Sequence, residues 1–238
     1  MRLRQAVLVA SDLQPLVARL QEELGLDEPF RDPGVGEFGL ANAVFAIGDC
    51  FLEIVSPVAG GTAAGRQLER AGDDGGYMAL FDLKDLLSAR ERAAALGVRV
   101  VWRIDLPDIS GTHLHPADVP GAIVSLDRSD PHGTWRWGGP QWTGRLGSGA
   151  PGRLRSITVA VRDPAAAAAR WGAVLGVKPT GEEPRLELDG GEVRFAVAGP
   201  RGVEQIVEIA LELPAEVRAG RGSIDVGAAR LTLSDLAA

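Results

Sequence analysis

The chain has 238 residues, 45% hydrophobic and 24% charged, an ordinary globular composition long enough for one large domain or two of about 100 to 150 residues. Lys and Arg number 25 against 32 Asp and Glu, and a net charge of −7 has the wrong sign for binding by release of phosphate counterions, which argues against a nucleic-acid partner. A lone cysteine excludes an intrachain disulfide, the apolar stretch Ala6 to Ala10 is too short for a secretory signal, and no run approaches the roughly 18 apolar residues of a membrane helix, so a cytoplasmic chain with no membrane partner is expected.

The segment Arg4 to Asp12 is apolar and β-branched, which suits a strand, and Asp12 has the side chain that caps a helix start. Leu13, Leu16, Val17, Leu20 and Leu24 then fall on one helical face, and Gly25 stands where a left-handed C-cap is needed. After a Pro/Gly-rich loop, Leu40 to Ile47 and Cys50 to Pro57 form two apolar strands around the turn pair Gly48-Asp49. A weaker copy of the unit begins at Tyr77 to Asp85, passes through an Ala- and Arg-rich helix to Gly97, continues as the strand Val98 to Ile104, and closes with Gly121 to Leu126.

The stretch Gly133 to Gly152 has linker composition but holds Trp135, Trp137 and Trp142, whose aromatic area is expected to pack between two halves. Beyond it the first unit recurs, with Arg155 to Asp163 matching Arg4 to Asp12 at an offset of 151 residues that also carries Arg19 onto Arg170, Leu24 onto Leu175 and Gly25 onto Gly176. Pro164 suits the first helical position, and the strands Arg185 to Leu188 and Glu192 to Val197 flank Asp189-Gly-Gly. A fourth copy spans Val207 to Leu236, its helix shrunk to Pro214 to Ala219. The expected organisation is α+β, four βαβββ modules paired into half-barrel cups: residues 1–130, a Trp/Gly-rich linker 131–152, and a second, partly degenerate domain 153–238.

His113 and His115, two apart on a strand, read either as a pair converging on a metal or an anionic substrate, or as an edge pair satisfied by backbone carbonyls. Glu53 lies among Phe51, Leu52, Ile54 and Val55, where an unpaired carboxylate is costly, and reads as a polar group of a pocket or as an outward-facing glutamate. Gly34 to Gly39 and Gly147 to Gly152 both fit G-x-G-x-x-G, yet neither follows a strand and opens a helix, so both read as loops. The Walker lysine motif, G-x-S-x-G and H-E-x-x-H are absent, which removes the commonest nucleotide, serine-hydrolase and zinc-protease readings. Asp49 beside Cys50 disfavours a reactive thiol, and Trp102 reads as core or as a stacking surface.

The paired units, with first strands ending at Asp12 and Asp163, together with Gly48 to Pro57 and His115 to Gly121, resemble the vicinal oxygen chelate superfamily, which includes glyoxalase I, extradiol dioxygenases, methylmalonyl-CoA epimerase and bleomycin-resistance proteins. The resemblance implies a small-molecule cup with ligand positions at Gln5, Glu53, Met78 and Ser125, of which Glu53 is the conventional metal ligand, Gln5 an amide donor, and Met78 and Ser125 poor ligands. In the second half the corresponding positions fall on Ser156 and, by alignment of the turns, Phe195. It further implies a small carbonyl or acyl compound in the N-terminal cup, with Glu53 catalytic and Gln5, Met78, Trp102, His113, His115 and Ser125 binding substrate. Three alternatives stand: a lyase, isomerase or dioxygenase using one divalent metal (Zn, Mn, Fe or Ni), a metal-free binding or sequestering protein, or a scaffold whose degenerate cups only make dimer contacts. A homodimer is compatible with all three.

Overall fold

A computed structural model describes residues 1–143 and 149–236. The chain runs β1 (Arg2–Val9), α1 (Leu13–Leu24), β2 (Leu40–Ile47), β3 (Cys50–Pro57), α2 (Ala63–Ala71), β4 (Gly75–Asp82), α3 (Leu86–Ala95), β5 (Val100–Asp105), β6 (Ile109–Leu114) and β7 (Ile123–Ser129). It continues as β8 (Arg153–Val161), α4 (Pro164–Leu175), β9 (Arg185–Leu188), β10 (Gly191–Val197), β11 (Gln205–Leu213), α5 (Ala215–Arg218), β12 (Ser223–Val226) and β13 (Ala229–Asp235). No helix among the described residues is long and apolar enough to cross a membrane.

The caps act as the sequence dictates. Asp12 accepts from the Gln14 N–H and Asp163 from the Ala166 N–H, while Gly25 and Gly176 end their helices in the left-handed region at φ 56° and 77°. The α1 stripe of Leu13, Leu16, Val17, Leu20 and Leu24 is buried. One helix was not anticipated: α2, whose start is fixed by Thr62 accepting from the Gly65 N–H. The Gly34 to Gly39 stretch is part of a 3₁₀ turn, Pro33–Phe38, closed by Gly39 at φ 68°, and the second glycine motif begins at residues outside the described ones.

Two open sheets result, ordered β2-β3-β1-β4-β7-β6-β5 and β12-β13-β11-β8-β10-β9. Each repeats one pattern, in which the first strands of two modules pair antiparallel at the centre (β1 with β4, β8 with β11) and each takes its own last strand as a parallel neighbour. Three strands follow the helix only in the second module. In the first and third, the missing strand survives as single bridges, Phe30 to Val44 and Thr180 to Arg185.

The helix-bearing faces of the two sheets share one core, which includes Ala6, Leu8 and Phe81 from one half and Ile157, Ile209 and Leu231 from the other. Trp171 of α4 joins the halves: its rings meet Phe81 at 6.2 Å and Phe195 at 5.6 Å, and its indole N–H donates to the Pro120 carbonyl at 2.9 Å. Gly76 lies so close to Ile206 that an added Cβ would collide with it. Trp135 and Trp142, expected between the halves, are fully buried against the opposite face of the first sheet instead, in a cluster with Val7, Val44, Phe51 and Tyr77.

Because the core is continuous, Trp171→Ala is expected to cost about 3–5 kcal/mol and to lower the urea midpoint of both halves together. Far-UV dichroism and tryptophan fluorescence recorded on one titration check this, and two separated transitions would show that the halves unfold independently.

Candidate functional site

The concave face of the first sheet carries the sequence-derived candidates, and its register decides which of them meet. Val7 of β1 pairs with Glu53 of β3, so Gln5 and Glu53 share one face, and the Gln5 amide donates from Nε2 to Glu53 Oε2 at 2.7 Å. Asn42 on β2 donates to the other oxygen, Oε1, at 2.7 Å. The Glu53 carboxyl is 8% exposed, and burial pushes it up to about 7 against the opposing pull of Asn42 and Gln5.

The segment after β7 closes this end of the cup. Trp135 donates its indole N–H to Gln5 Oε1 at 2.7 Å, completing a chain Trp135–Gln5–Glu53–Asn42 in which each acceptor already has a donor. Phe51 stacks on Trp135 with centroids 6.3 Å apart and meets Trp142 edge-on at 4.8 Å. Arg4, fully buried, places its guanidinium 5.5 Å from Trp135 and 5.9 Å from Trp142 and donates to the Gly133 carbonyl at 2.7 Å. Gly138 is required here because a Cβ would overlap the Phe51 ring. The stretch expected to be a linker is thus, over residues 131–143, a strap on the first sheet, and residues 144–148 lie outside the described ones.

Register also relates the two modules position by position. Gln5 pairs with Leu80 across the central antiparallel pair, and on β7 Ser125 pairs with Leu80 while Asp127 pairs with Asp82. The two modules match at an offset of 73, which superposes the bounds of β1 and β4, the caps Asp12 and Asp85 and the bulges at Arg4 and Tyr77, so Met78 is the counterpart of Gln5 and, through the pairs Val7–Glu53 and Leu80–Ser125, Ser125 is the counterpart of Glu53, with Asp127 two residues further along the same face. In the second half the same reasoning moves Phe195 to Arg194, because Thr158, the counterpart of Val7, pairs with Arg194. Phe195 turns to the helix side and packs on Trp171.

Asp127, which the sequence reading missed, is fully buried. Trp137 donates its indole N–H to Asp127 Oδ1 at 3.1 Å, whereas Oδ2 and the neighbouring Ser125 Oγ are buried without closing a hydrogen bond. Burial raises this carboxyl to about 7, opposed by the nearby Ser125 and Trp137 groups. Half-buried Trp102 and Trp137 stand beside it, with His113 against Trp102 and the pair Met78–Ile123 further along the same face. Trp102 lies 4.5 Å from the His113 ring and 6.2 Å from Trp137, and Phe38 meets Trp102 edge-on at 5.6 Å. Burial alone pushes the His113 imidazole down to about 4, so it is neutral at physiological pH.

His115 does not join His113. β6 ends at Leu114, and beyond it His115 Nδ1 accepts from the Ala117 N–H at 3.1 Å beside the Arg99–Asp118 ion pair. Cys50 is buried and its thiol is pushed up to about 11 by burial, an inert group.

The residues do not fit a resident metal. Both Glu53 oxygens and the Gln5 oxygen already accept hydrogen bonds, Met78 and Ser125, poor ligands, stand where further donors would be needed, and no cluster of three His, Cys, Asp or Glu forms among the described residues. On the second sheet an open groove of about 990 Å³ is lined by Arg155, Thr158, Arg185, Glu192 and Arg194. Its arginines are paired with glutamates, Arg194 to Glu192 at 2.5 Å and Arg185 to Glu187 at 3.4 Å.

A family model described as a glyoxalase-like domain matches residues 6–175. An ethylmalonyl-CoA/methylmalonyl-CoA epimerase of Cereibacter sphaeroides is 26% identical over 135 residues, covering 53% of this chain and 97% of the epimerase. A hypothetical protein from Staphylococcus aureus shares the fold over 98% of both chains with a TM-score of 0.67 at 12% identity. A Streptomyces coelicolor methylmalonyl-CoA epimerase, solved with 2-nitronate-propionyl-CoA, aligns with 54% of this chain and 97% of its own at 22% identity and a TM-score of 0.48.

Two outcomes follow from the buried polar chain. Trp135→Phe leaves Gln5 Oε1 buried without its donor and is expected to destabilise by about 1–3 kcal/mol, measured by urea titration. The folded Glu53 carboxyl titrates near 7 against a usual 4.5, so the unfolded chain ionises first and the stability this group provides at low pH is lost as pH rises through about 7. His113, held down, acts with the opposite sign below its usual 6.5. The Glu53→Gln comparison isolates the carboxyl: between about pH 5 and pH 7.5 the Tm difference should move in favour of the variant, and a constant difference would contradict the shift.

Proposed function

The chain belongs to the glyoxalase-like domain family, and from that membership we propose that it is a metal-free binding protein for a small carbonyl or acyl compound held at the aromatic mouth of the first cup. The observation that carries this reading is the closed chain Trp135–Gln5–Glu53–Asn42, which commits the family's metal-ligand end to internal hydrogen bonds and leaves the mouth around Met78, Trp102, His113 and Ile123 as the accessible part of the face. Flat apolar surface there suits the body of a small organic molecule, and a few buried polar groups beneath it suit its orientation. The Ser125 hydroxyl is fully buried beside the Asp127 carboxyl, to which it can donate. The neutral imidazole of His113 offers one further donor or acceptor. Similarity to an ethylmalonyl-CoA/methylmalonyl-CoA epimerase supports an acyl or carbonyl ligand class.

Elemental analysis of protein purified without chelator should find no stoichiometric metal, and added Zn, Mn, Fe or Ni should leave Tm unchanged. Stoichiometric metal that is lost in Glu53→Ala would overturn the metal-free reading in favour of a lyase, isomerase or dioxygenase. In a thermal-shift screen of small carbonyl and acyl compounds, hits should stabilise the wild type and lose their effect in Trp102→Ala.

A further inference from the structure

We infer that β5 is the association edge for a second copy of this chain, the two β5 strands running antiparallel about Ile104 so that each Arg103 meets the partner's Asp105. The inference stands apart from the ligand reading. Three features of the outer edge of the first sheet carry it.

The first is that this edge lies open. Among the described residues, the β2 edge is bridged by Phe30 at Val44 and by Ala150 at Ile47, and the β9 edge by Thr180 at Arg185. The β12 edge is four residues long, with its Asp225 carbonyl taken by Arg19 of α1 at 2.8 Å. β5 has β6 as its one neighbour and no bridge on its other side. The Leu106 N–H donates to the Ile109 carbonyl at 2.8 Å across the hairpin, so by alternation Ile104 and Trp102 turn their backbone groups to β6 while Arg103 and Asp105 turn theirs outward. An open row of this kind is a template for another strand.

The second is charge. Arg103 and Asp105 lie two apart on one face, 58% and 47% exposed, and Asp105 also receives Arg90 at 2.7 Å. Charges on an edge ordinarily repel a pairing strand, but opposite signs two residues apart select one register. Centred on Ile104, an antiparallel pair opposes unlike charges at both positions. A slip of two sets Arg103 on the partner's Arg103, or Asp105 on the partner's Asp105. A slip of one turns the apolar face of one strand to the polar face of the other.

The third is apolar surface. Trp102, Ile104 and Leu106 alternate along the concave side, all half-buried. The centred register stacks Ile104 on its own copy and Trp102 on the partner's Leu106, at the mouth of the first cup. It also brings Val100 and Val101, each 50% exposed, to the partner's hairpin turn. On the helix side Leu87, 68% exposed, stands one turn before Arg90, whose guanidinium reaches Asp105, so α3 presents an apolar side chain along the same edge. One strand pair is smaller than a standard interface of about 1,600 Å², so the dimer is weak and its population rises with concentration.

Sedimentation velocity of the full chain, from low micromolar to sub-millimolar concentration, should show monomer giving way to dimer. Arg103→Asp and Asp105→Arg each set like charges across the pair and should weaken association about tenfold. Mixed in equal amounts, the two variants again oppose unlike charges at both positions and should form a heterodimer as readily as the wild type dimerises. Arg103→Pro removes an outward N–H, leaves the β5–β6 ladder intact and should be monomeric. A wild type that stays monomeric throughout, a dimer that both charge reversals leave unmoved, or a mixture of folded variants that fails to associate overturns the inference. Should Asp105→Arg not fold for want of its Arg90 contact, Ile104→Cys decides, because a residue paired with its own copy about 4.5 Å away is within disulfide reach. Diamide should then give a cross-linked dimer, and its absence overturns the register.

Discussion

Everything on the concave side of the first sheet depends on one hydrogen bond, from the Trp135 indole to the Gln5 amide oxygen. A buried glutamine with a free carbonyl would be a poor neighbour for Glu53, because its amide must be oriented to give Nε2 to the carboxylate. Trp135 fixes that orientation by claiming the oxygen, and Asn42 closes the other end. The strap that delivers Trp135 is anchored in turn by Arg4, a fully buried guanidinium among three aromatic rings. A carboxyl that would otherwise invite a metal is thereby made part of the interior, and the proposed ligand position is displaced toward β6 and β7.

Displacement of this kind follows from modular duplication. Two modules around an approximate twofold give two copies of each position, and only one copy is spent on the strap. Glu53 is satisfied by amides, whereas its counterpart Ser125 is a buried hydroxyl beside the Asp127 carboxyl. In the second sheet the same place holds Arg194, paired with Glu192 on an exposed face. One position thus has three fates: an internal hydrogen-bond partner, a buried hydroxyl, and a surface ion pair.

Much of the fold was legible in the chain because its determinants are local. Asp12 and Asp163 cap their helices through side chains two or three residues away from the groups they bind, and Gly25 and Gly176 terminate them through their own φ angles. Glu53 was legible as an anomaly in an apolar strand. Alignment of the turns puts Phe195 opposite Glu53, whereas pairing puts Arg194 there, because register between distant strands leaves no trace in either strand alone. His115 looked like a partner of His113 because periodicity cannot see that β6 stops at Leu114. Asp127 lies two residues beyond Ser125 on the same face, and its burial depends on Trp137, a residue from the strap.

The sequence by itself determined the repeat, the caps, the apolar stripes and hence the two-sheet family architecture, since each arises from interactions within about one turn or one hairpin. Only the tertiary structure decided that residues 131–143 are a strap and not a linker, that Trp135 meets Gln5 across 130 positions of chain, and that Trp137 meets the buried Asp127 carboxyl. Those outcomes depend on which buried polar groups find partners when distant segments meet, a competition among desolvation, hydrogen bonding and ring packing that no local window of residues contains.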